Sequence, residues 1–256
     1  KNVFKEIDLN DSLTYTLNNI GWLSMDTSNM QLLGKPTNNQ VGTYNVKLTA
    51  TDKANASVTD EFLITVNNVN DAPYLAIDLP DFITTEDMQF NYSFGEPIFN
   101  DIDFNDQINQ SIKLPNWLTY SNTTNSISGI PTNSAVGDNI VTLNAVDNYG
   151  GSLTVNFKIN VSNVNDKPVL KNKPSKLSIN QGQSLSNIIP LDTFVDIDPG
   201  DTLTYSVNGL SWITFNSNTN SISGIPGNNH VGISTLNVVV KDSLGVSSSV
   251  GLEIEV

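Results

Sequence analysis

From Val195 to Tyr205 the chain reads VDIDPGDTLTY, which sets Asp196, Asp198 and Asp201 close together beside an alternating apolar run. Carboxylates that close repel, and acids seldom sit next to a core without a partner. A cation can hold them. Calcium suits such a group, because it takes roughly six to eight oxygens from carboxylates, amide side chains and backbone carbonyls. Magnesium keeps more of its waters, and zinc calls for His or Cys. The chain has no Cys and a single histidine, His230, which reads as a solvated loop residue.

The acidic motif is not unique. It recurs as FKEIDLND from Phe4, FNDIDFND from Phe99 and FVDIDPGD from Phe194. Trp22, Trp117 and Trp212 keep the same register (117 − 22 = 212 − 117 = 95). So do Gly34, Gly129 and Gly224, each followed by Pro36, Pro131 and Pro226, and so do Asp52, Asp147 and Asp242. The phrase NVND stands at Asn68–Asp71 and again at Asn163–Asp166. A period this long belongs to an array of whole domains, not to a solenoid. The predicted domains are 1–67 (a partial repeat), 68–162 and 163–256. An active site is rarely triplicated in one chain, whereas a structural site belongs in every repeat. A glycosidase-like carboxylate pair is therefore set aside, and the chain is read as no enzyme.

Composition fits. The 256 residues suit two to three domains of roughly 100 residues, and 38% hydrophobic content supplies several small cores. No apolar run is long enough for a membrane span or a signal peptide. Residue 1 falls in mid-repeat, so a longer parent chain is expected. Without cysteine there is no disulfide framework, and some other stabilising device is needed. The net charge of −14 repels phosphate backbones and excludes nucleic acid as a partner.

Period-two alternation runs through TYNVKLTATD, NIVTLNAVD and STLNVVVKD, and turns rich in Asn, Ser, Thr and Gly separate the runs. In the middle repeat this predicts seven strands. Strand A lies near Tyr74–Ile83, B near Met88–Phe94, C near Ser111–Leu114 and D near Leu118–Tyr120; E lies near Ser126–Ser128, F near Ile140–Asp147 and G near Ser152–Val161. Seven short strands per repeat point to an immunoglobulin-like sandwich, with the tryptophans in the core. If the strands alternate in direction, the B–C loop, the F–G loop and the incoming NVND linker share one end of the domain. The D-x-D-x-x-D motif, the lone Asp147 or Asp242 and the linker then converge at the junction with the preceding repeat. Glu86, at the A–B turn, lies at the opposite end and faces the third repeat.

The series F-x-D-x-D, then L-T-Y-S, W-[LI], G-x-P-x-N, V-G, a lone Asp and V-N-D-x-P resembles the cadherin-like repeat of the dystroglycan type over essentially the whole chain. The resemblance implies an all-β chain of tandem seven-strand Greek-key Ig/cadherin-like β-sandwiches, the first repeat lacking strands A and B and, with B read as a central strand, exposing an edge. It also implies calcium at the junctions and a role in extracellular adhesion. The NVND-x-P segments look like the calcium-binding linker, Asp101/Asp103 and Asp196/Asp198 like the D-x-D pair, Asp147 and Asp242 like the F–G loop ligand, and Glu86 like the glutamate given by the preceding domain. Expected ligands at the second junction are Glu86, Asn163, Asp166, Asp196, Asp198 and Asp242, with Asn165 adding a backbone carbonyl and Asp201 ligating or capping its loop. At the first junction they are Asn68, Asp71, Asp101, Asp103 and Asp147.

Departures from the family pattern bear on the ion count. The acidic motif before strand F is replaced by GKPTNN, GIPTNS and GIPGNN, without an acid. Gln181 stands where the middle repeat has Glu86, and Glu6 replaces the first Asp of the partial repeat. The expected function is a calcium-binding adhesion or spacer module, extracellular or on a cell surface, in a longer secreted or membrane-anchored protein. Expected partners are further repeats of that chain and a homophilic or heterophilic protein ligand. The rival reading is a carbohydrate-binding accessory module with a polysaccharide partner, for which Tyr120 and Tyr149 are the only aromatic hints.

Overall fold

The computed structural model describes residues 4–8 and 10–256. The first three residues of the predicted 1–67 repeat, and Leu9 of its FKEIDLND motif, lie outside these. The first repeat carries β1 (Thr14–Leu17), β2 (Leu23–Asp26), β3 (Gln31–Gly34), β4 (Gly42–Thr51) and β5 (Ser57–Val66). The second carries β6 (Tyr74–Leu75), β7 (Phe82–Thr85), β8 (Phe90–Ser93), β9 (Phe99–Asn100), β10 (Asn109–Lys113), β11 (Leu118–Ser121), β12 (Ser126–Gly129), β13 (Gly137–Val146) and β14 (Ser152–Ser162). The third repeats this series as β15 (Val169–Leu170), β16 (Leu177–Ser178), β17 (Leu185–Ile188), β18 (Phe194–Val195), β19 (Thr204–Asn208), β20 (Ile213–Asn216), β21 (Ser221–Gly224), β22 (Ile233–Lys241) and β23 (Ser247–Glu255). Two compact units result. One is Lys1–Asp78 with Gly95–Ser111 and Leu143–Val155; the other is Leu79–Phe94 with Ile112–Thr142 and Asn156–Val256.

The sheets follow a Greek key. In the middle repeat the orders are β10-β13-β14-β7 and β11-β12-β8, and in the third they are β16-β23-β22-β19 and β17-β21-β20. The alternation read from sequence is the burial pattern of the long hairpins. Leu236, Val238 and Val240 of β22 and Leu252 and Ile254 of β23 close a core with Leu185, Ile189, Phe194, Tyr205 and Ile222. Trp212 is partly buried against that core. Its spacing to Gly224 has a steric cause. A Cβ on Gly224 would lie 2.1 Å from the Trp212 carbonyl, and one on Gly129 would lie 1.9 Å from the Trp117 carbonyl. Only glycine lets strand E pass the tryptophan at this distance.

The structure corrects four expectations. Strand A is not continuous. It breaks around Pro80 and Pro174, which lack the N–H a ladder needs. Its first part, β6 or β15, pairs antiparallel with the short β9 or β18, while its second part, β7 or β16, joins β14 or β23 in parallel. Strict alternation of direction therefore fails at strand A, although the B–C and F–G loops still meet the linker, as the hydrogen bonds below show. Strand B is not central but ends the D-E-B order. The first repeat accordingly keeps β2-β3 as a two-stranded sheet and β1-β4-β5 as its other sheet, leaving β3 and β5 as edges among the described residues. Finally, His230 is half-buried. Its ring stacks on Trp212 at 5.9 Å, and Nδ1 accepts the Gly227 N–H at 3.0 Å. Gln40 does the same two repeats earlier, its Oε1 accepting the Thr37 N–H.

Candidate metal centres at the repeat junctions

At the first junction the B–C loop folds on its own carboxylates. Asp103 N–H donates to Asp101 Oδ1 at 2.9 Å, and Asn105 takes a positive φ of 68° that turns the loop back. The carboxylates of Asp101, Asp103 and Asp106 lie within 4.8 Å of one another. The linker enters this loop through its backbone, since Asp71 N–H donates to Asp103 Oδ2 at 2.7 Å. The F–G loop meets the linker through Asn70, whose Nδ2 donates to Asp147 Oδ2 at 3.1 Å. From the upper repeat comes Asn38, whose Nδ2 donates to Asp71 Oδ2 at 2.7 Å and to Asp103 Oδ1 at 3.0 Å. Asp101 Oδ2 and Asp106 Oδ2 are buried with no hydrogen-bond partner.

The second junction repeats this arrangement. Asp198 N–H donates to Asp196 Oδ1 at 3.0 Å, and Asp166 N–H donates to Asp198 Oδ2 at 2.8 Å. Asn165 Nδ2 donates to Asp242 Oδ2 at 2.9 Å, and Asn133 Nδ2 of the upper repeat donates to Asp166 Oδ2 at 2.9 Å. Glu86 is 1% exposed, and its Oε1 accepts the Val164 N–H in a short hydrogen bond. Five oxygens here are buried without a partner: Glu86 Oε2, Asn133 Oδ1, Asp196 Oδ2, Asp198 Oδ1 and Asp201 Oδ2. Unpaired buried oxygens are costly, and a hard cation is the partner that carboxylate and amide oxygens fit.

Electrostatics point the same way. Burial, then the neighbouring Asp101, Asp103 and Asp147, hold the Asp106 carboxyl above its ordinary value. Burial also raises Asp196, and Asp198, Asp201 and Asp242 add to this against the opposing Asp198 N–H bond. Asp147 differs. Burial pulls it up, but the Asn70 amide and the N–H groups of Tyr149, Gly151 and Gly150 outweigh that and leave it lowered. The Ser243 hydroxyl lowers Asp201 against its burial, helped by the N–H groups of Thr202 and Ser243.

Of the residues expected from sequence, Asp71, Asp101, Asp103 and Asp147 come together at the first junction. Asn165, Asp166, Asp196, Asp198 and Asp242 come together at the second, and Glu86 meets the linker there through the Val164 N–H. Asn68 and Asn163 are exposed, and their side chains make no hydrogen bond among the described residues. Their places are taken by the next linker asparagine, Asn70 or Asn165, and Asn165 reaches the site through its side chain. Sequence reasoning missed Asn38, Asn70, Asp106 and Asn133. Asp106 was visible as the register partner of Asp201; Asn38 and Asn133 also share a register, but a neutral amide in an acid's place does not announce a site. A third acidic group, Glu6, Asp11 and Asp52, holds the same register in the first repeat.

The family model described as "Putative Ig domain" matches residues 1–67, 73–162 and 167–256. The chain belongs to that Ig-domain family. A serine-rich adhesin for platelets from Staphylococcus aureus (strain USA300) is 33% identical over 144 residues, which is 56% of this chain and 6% of the adhesin. The Ig domains therefore match only a small part of that relative's length. Among solved structures, mouse cadherin-23 EC22-24 aligns with 95% of this chain and 85% of its own, at 21% identity and a TM-score of 0.58. Protocadherin gammaB7 EC3-6 aligns with 95% of this chain and 66% of its own, at 17% identity and a TM-score of 0.57. At these identities the likeness is one of fold. Among the described residues, no helix of the Ig domains is long and apolar enough to cross a membrane.

Proposed function

We propose that the chain is a calcium-dependent spacer or adhesion segment, in which one site at each repeat junction ties the upper repeat, the linker and the lower repeat to a shared cation. The observation that carries this reading is the set of buried, unpartnered oxygens at the second junction, drawn from Glu86, Asn133, Asp196, Asp198 and Asp201. Bound calcium would supply the missing positive charge. The chain's own groups set the geometry: backbone N–H bonds fix Asp103 and Asp198, and linker amides orient Asp147 and Asp242. Adhesion as the setting is supported by the similarity to the staphylococcal adhesin, and tandem Ig domains suit a longer surface or secreted chain. Calcium is plentiful outside cells, so binding there stabilises by mass action, by about 2.7 kcal/mol at a hundredfold excess over the dissociation constant. That offsets the lack of disulfides.

Calorimetric titration with calcium, and with magnesium as control, tests the reading. Two classes of calcium site are expected, the weaker at the first junction, which has no counterpart of Glu86 among the described residues. No heat, or equal response to magnesium, removes calcium from the account.

A second reading, a carbohydrate-binding module, draws on Phe104 and Tyr149, which are 89% and 74% exposed. Tyr120 is not free for sugar, because its hydroxyl donates to Asn125 Oδ1 at 2.7 Å. Affinity electrophoresis in soluble polysaccharides, with Tyr149→Ala as control, separates the two: retardation lost in that variant favours the module.

A further inference from the structure

Asn38 and Asn133 occupy one register position, on the short 3-10 turns Asn38–Gln40 and Asn133–Ala135 that follow G-x-P-x. Asn228 holds the same position in the third repeat, where its side chain is exposed and makes no hydrogen bond among the described residues. The residue is thus not needed to fold its own repeat. At both junctions it reaches the repeat below. Asn38 uses its Nδ2 on two carboxylates, Asp71 and Asp103, and Asn133 uses its Nδ2 on Asp166. The other end of the Asn133 amide, Oδ1, is buried without a partner.

We propose that this asparagine is a two-sided strap. Its amide N–H groups bridge the lower repeat's carboxylates when no ion is present, and its carbonyl oxygen is a neutral donor for the cation. A primary amide carries both functions in one planar group: two N–H donors and one acceptor oxygen. A carboxylate at this position would be a stronger cation ligand, but in the ion-free state it would only add to the repulsion among Asp71, Asp101, Asp103 and Asp106. Asparagine therefore trades calcium affinity for a junction that stays closed when calcium falls. The cation half of the proposal rests on the metal reading above; the ion-free half rests on the hydrogen bonds alone.

The test uses the whole chain and the variants Asn133→Ala and Asn133→Asp, with Asn38→Ala at the other junction. Hydrogen exchange is followed at the Asp166 and Asp71 amides, which donate to Asp198 and Asp103, and calcium affinity is measured by calorimetry. In calcium-free buffer, Asn133→Ala and Asn133→Asp are each expected to speed Asp166 exchange about tenfold or more. Asn38→Ala is expected to do the same to Asp71. Exchange in β22 and β23 stays unchanged, showing that the fold is intact. On adding calcium, Asn133→Asp should bind more tightly than wild type and regain protection, and Asn133→Ala should bind more weakly. Wild-type exchange rates at Asp166 and Asp71 in the ion-free alanine variants overturn the strap. If no chain binds calcium, the metal reading fails, and the ion-free rates alone decide the strap.

Discussion

Asp198 is the most committed carboxylate of its cluster. It is buried, its Oδ2 accepts the linker N–H of Asp166, and its Oδ1 has no partner. Asp198→Ala is expected to weaken calcium at the second junction by roughly 10–100-fold or more, since even second-shell losses reach that range. An unchanged calorimetric affinity removes Asp198 from the site. A pH experiment follows from the same groups. Asp106 and Asp196 are raised above the ordinary 3.8. A carboxyl raised on folding costs stability above its folded pKa, and that cost is relieved as pH falls through it toward 3.8. Asp147 and Asp201 are lowered, so the stability they give holds above 3.8 and is lost only below it. Between neutral pH and 3.8, ion-free protein should therefore melt at higher temperature on acidification, while calcium-loaded protein loses its ion to protons and melts at lower temperature. Parallel melting curves in the two buffers contradict this. The acids at these sites were legible in the sequence because carboxylate spacing implies a cation. The amides of Asn38, Asn70 and Asn133 were not, because asparagine is common throughout the chain and carries no charge to explain.

At the scale of strands, the tryptophan–glycine pair is a stringent feature. Leu118 of β11 lies opposite Gly129 of β12, directly after Trp117. Gly129→Ala would drive a methyl group into the Trp117 carbonyl and is expected to destabilise the middle repeat by at least about 2 kcal/mol, read as a shifted denaturant midpoint. A midpoint within error of wild type would show that β12 can move away freely. The first repeat should be the weakest element of the chain. Of its described residues only Ile20, Val46 and Ala50 are buried apolar side chains, and β3 and β5 lack the B and A neighbours that β12 and β14 have. Amides of β4 and β5 are expected to exchange faster than those of β22 and β23; equal rates contradict this. Alternation made the long F–G hairpins readable. The break in strand A was harder to see, because a proline between two apolar runs is compatible with either a bulge or a change of sheet. Here β9 captures the first half, and β14 captures the second in parallel.

For the molecule as a whole, the 95-residue period carried most of the information. It gave the number of repeats and the recurrence of the acids without any knowledge of contacts. What it could not give was which face of each repeat meets the linker, because strand directions had to be assumed. The calcium reading has a mechanical consequence. Without the ion, only the strap amides and the linker N–H and amide groups oppose the mutual repulsion of the junction carboxylates among the described residues; with it, ligands from both repeats would share one charge. Small-angle scattering is expected to show a narrower distribution of particle dimensions in calcium than in chelator. Identical distributions would leave the carboxylates as aids to solubility.

Every complete junction is assembled from the same three sources. An asparagine comes from the repeat above, an amide and a backbone N–H from the linker, and aspartates from the repeat below. The middle repeat serves as lower partner through Asp101 and Asp103 and as upper partner through Glu86 and Asn133. Such a joint is directional and open-ended, the lower end of one repeat meeting the linker and upper end of the next. Duplicating the middle repeat in frame would bring its Asn133, linker and aspartate groups to the new junction in the same event, with no new surface to invent. Length then becomes a quantity that genetic copying can adjust in steps of one repeat, and selection can act on the reach of the chain without redesigning its joints.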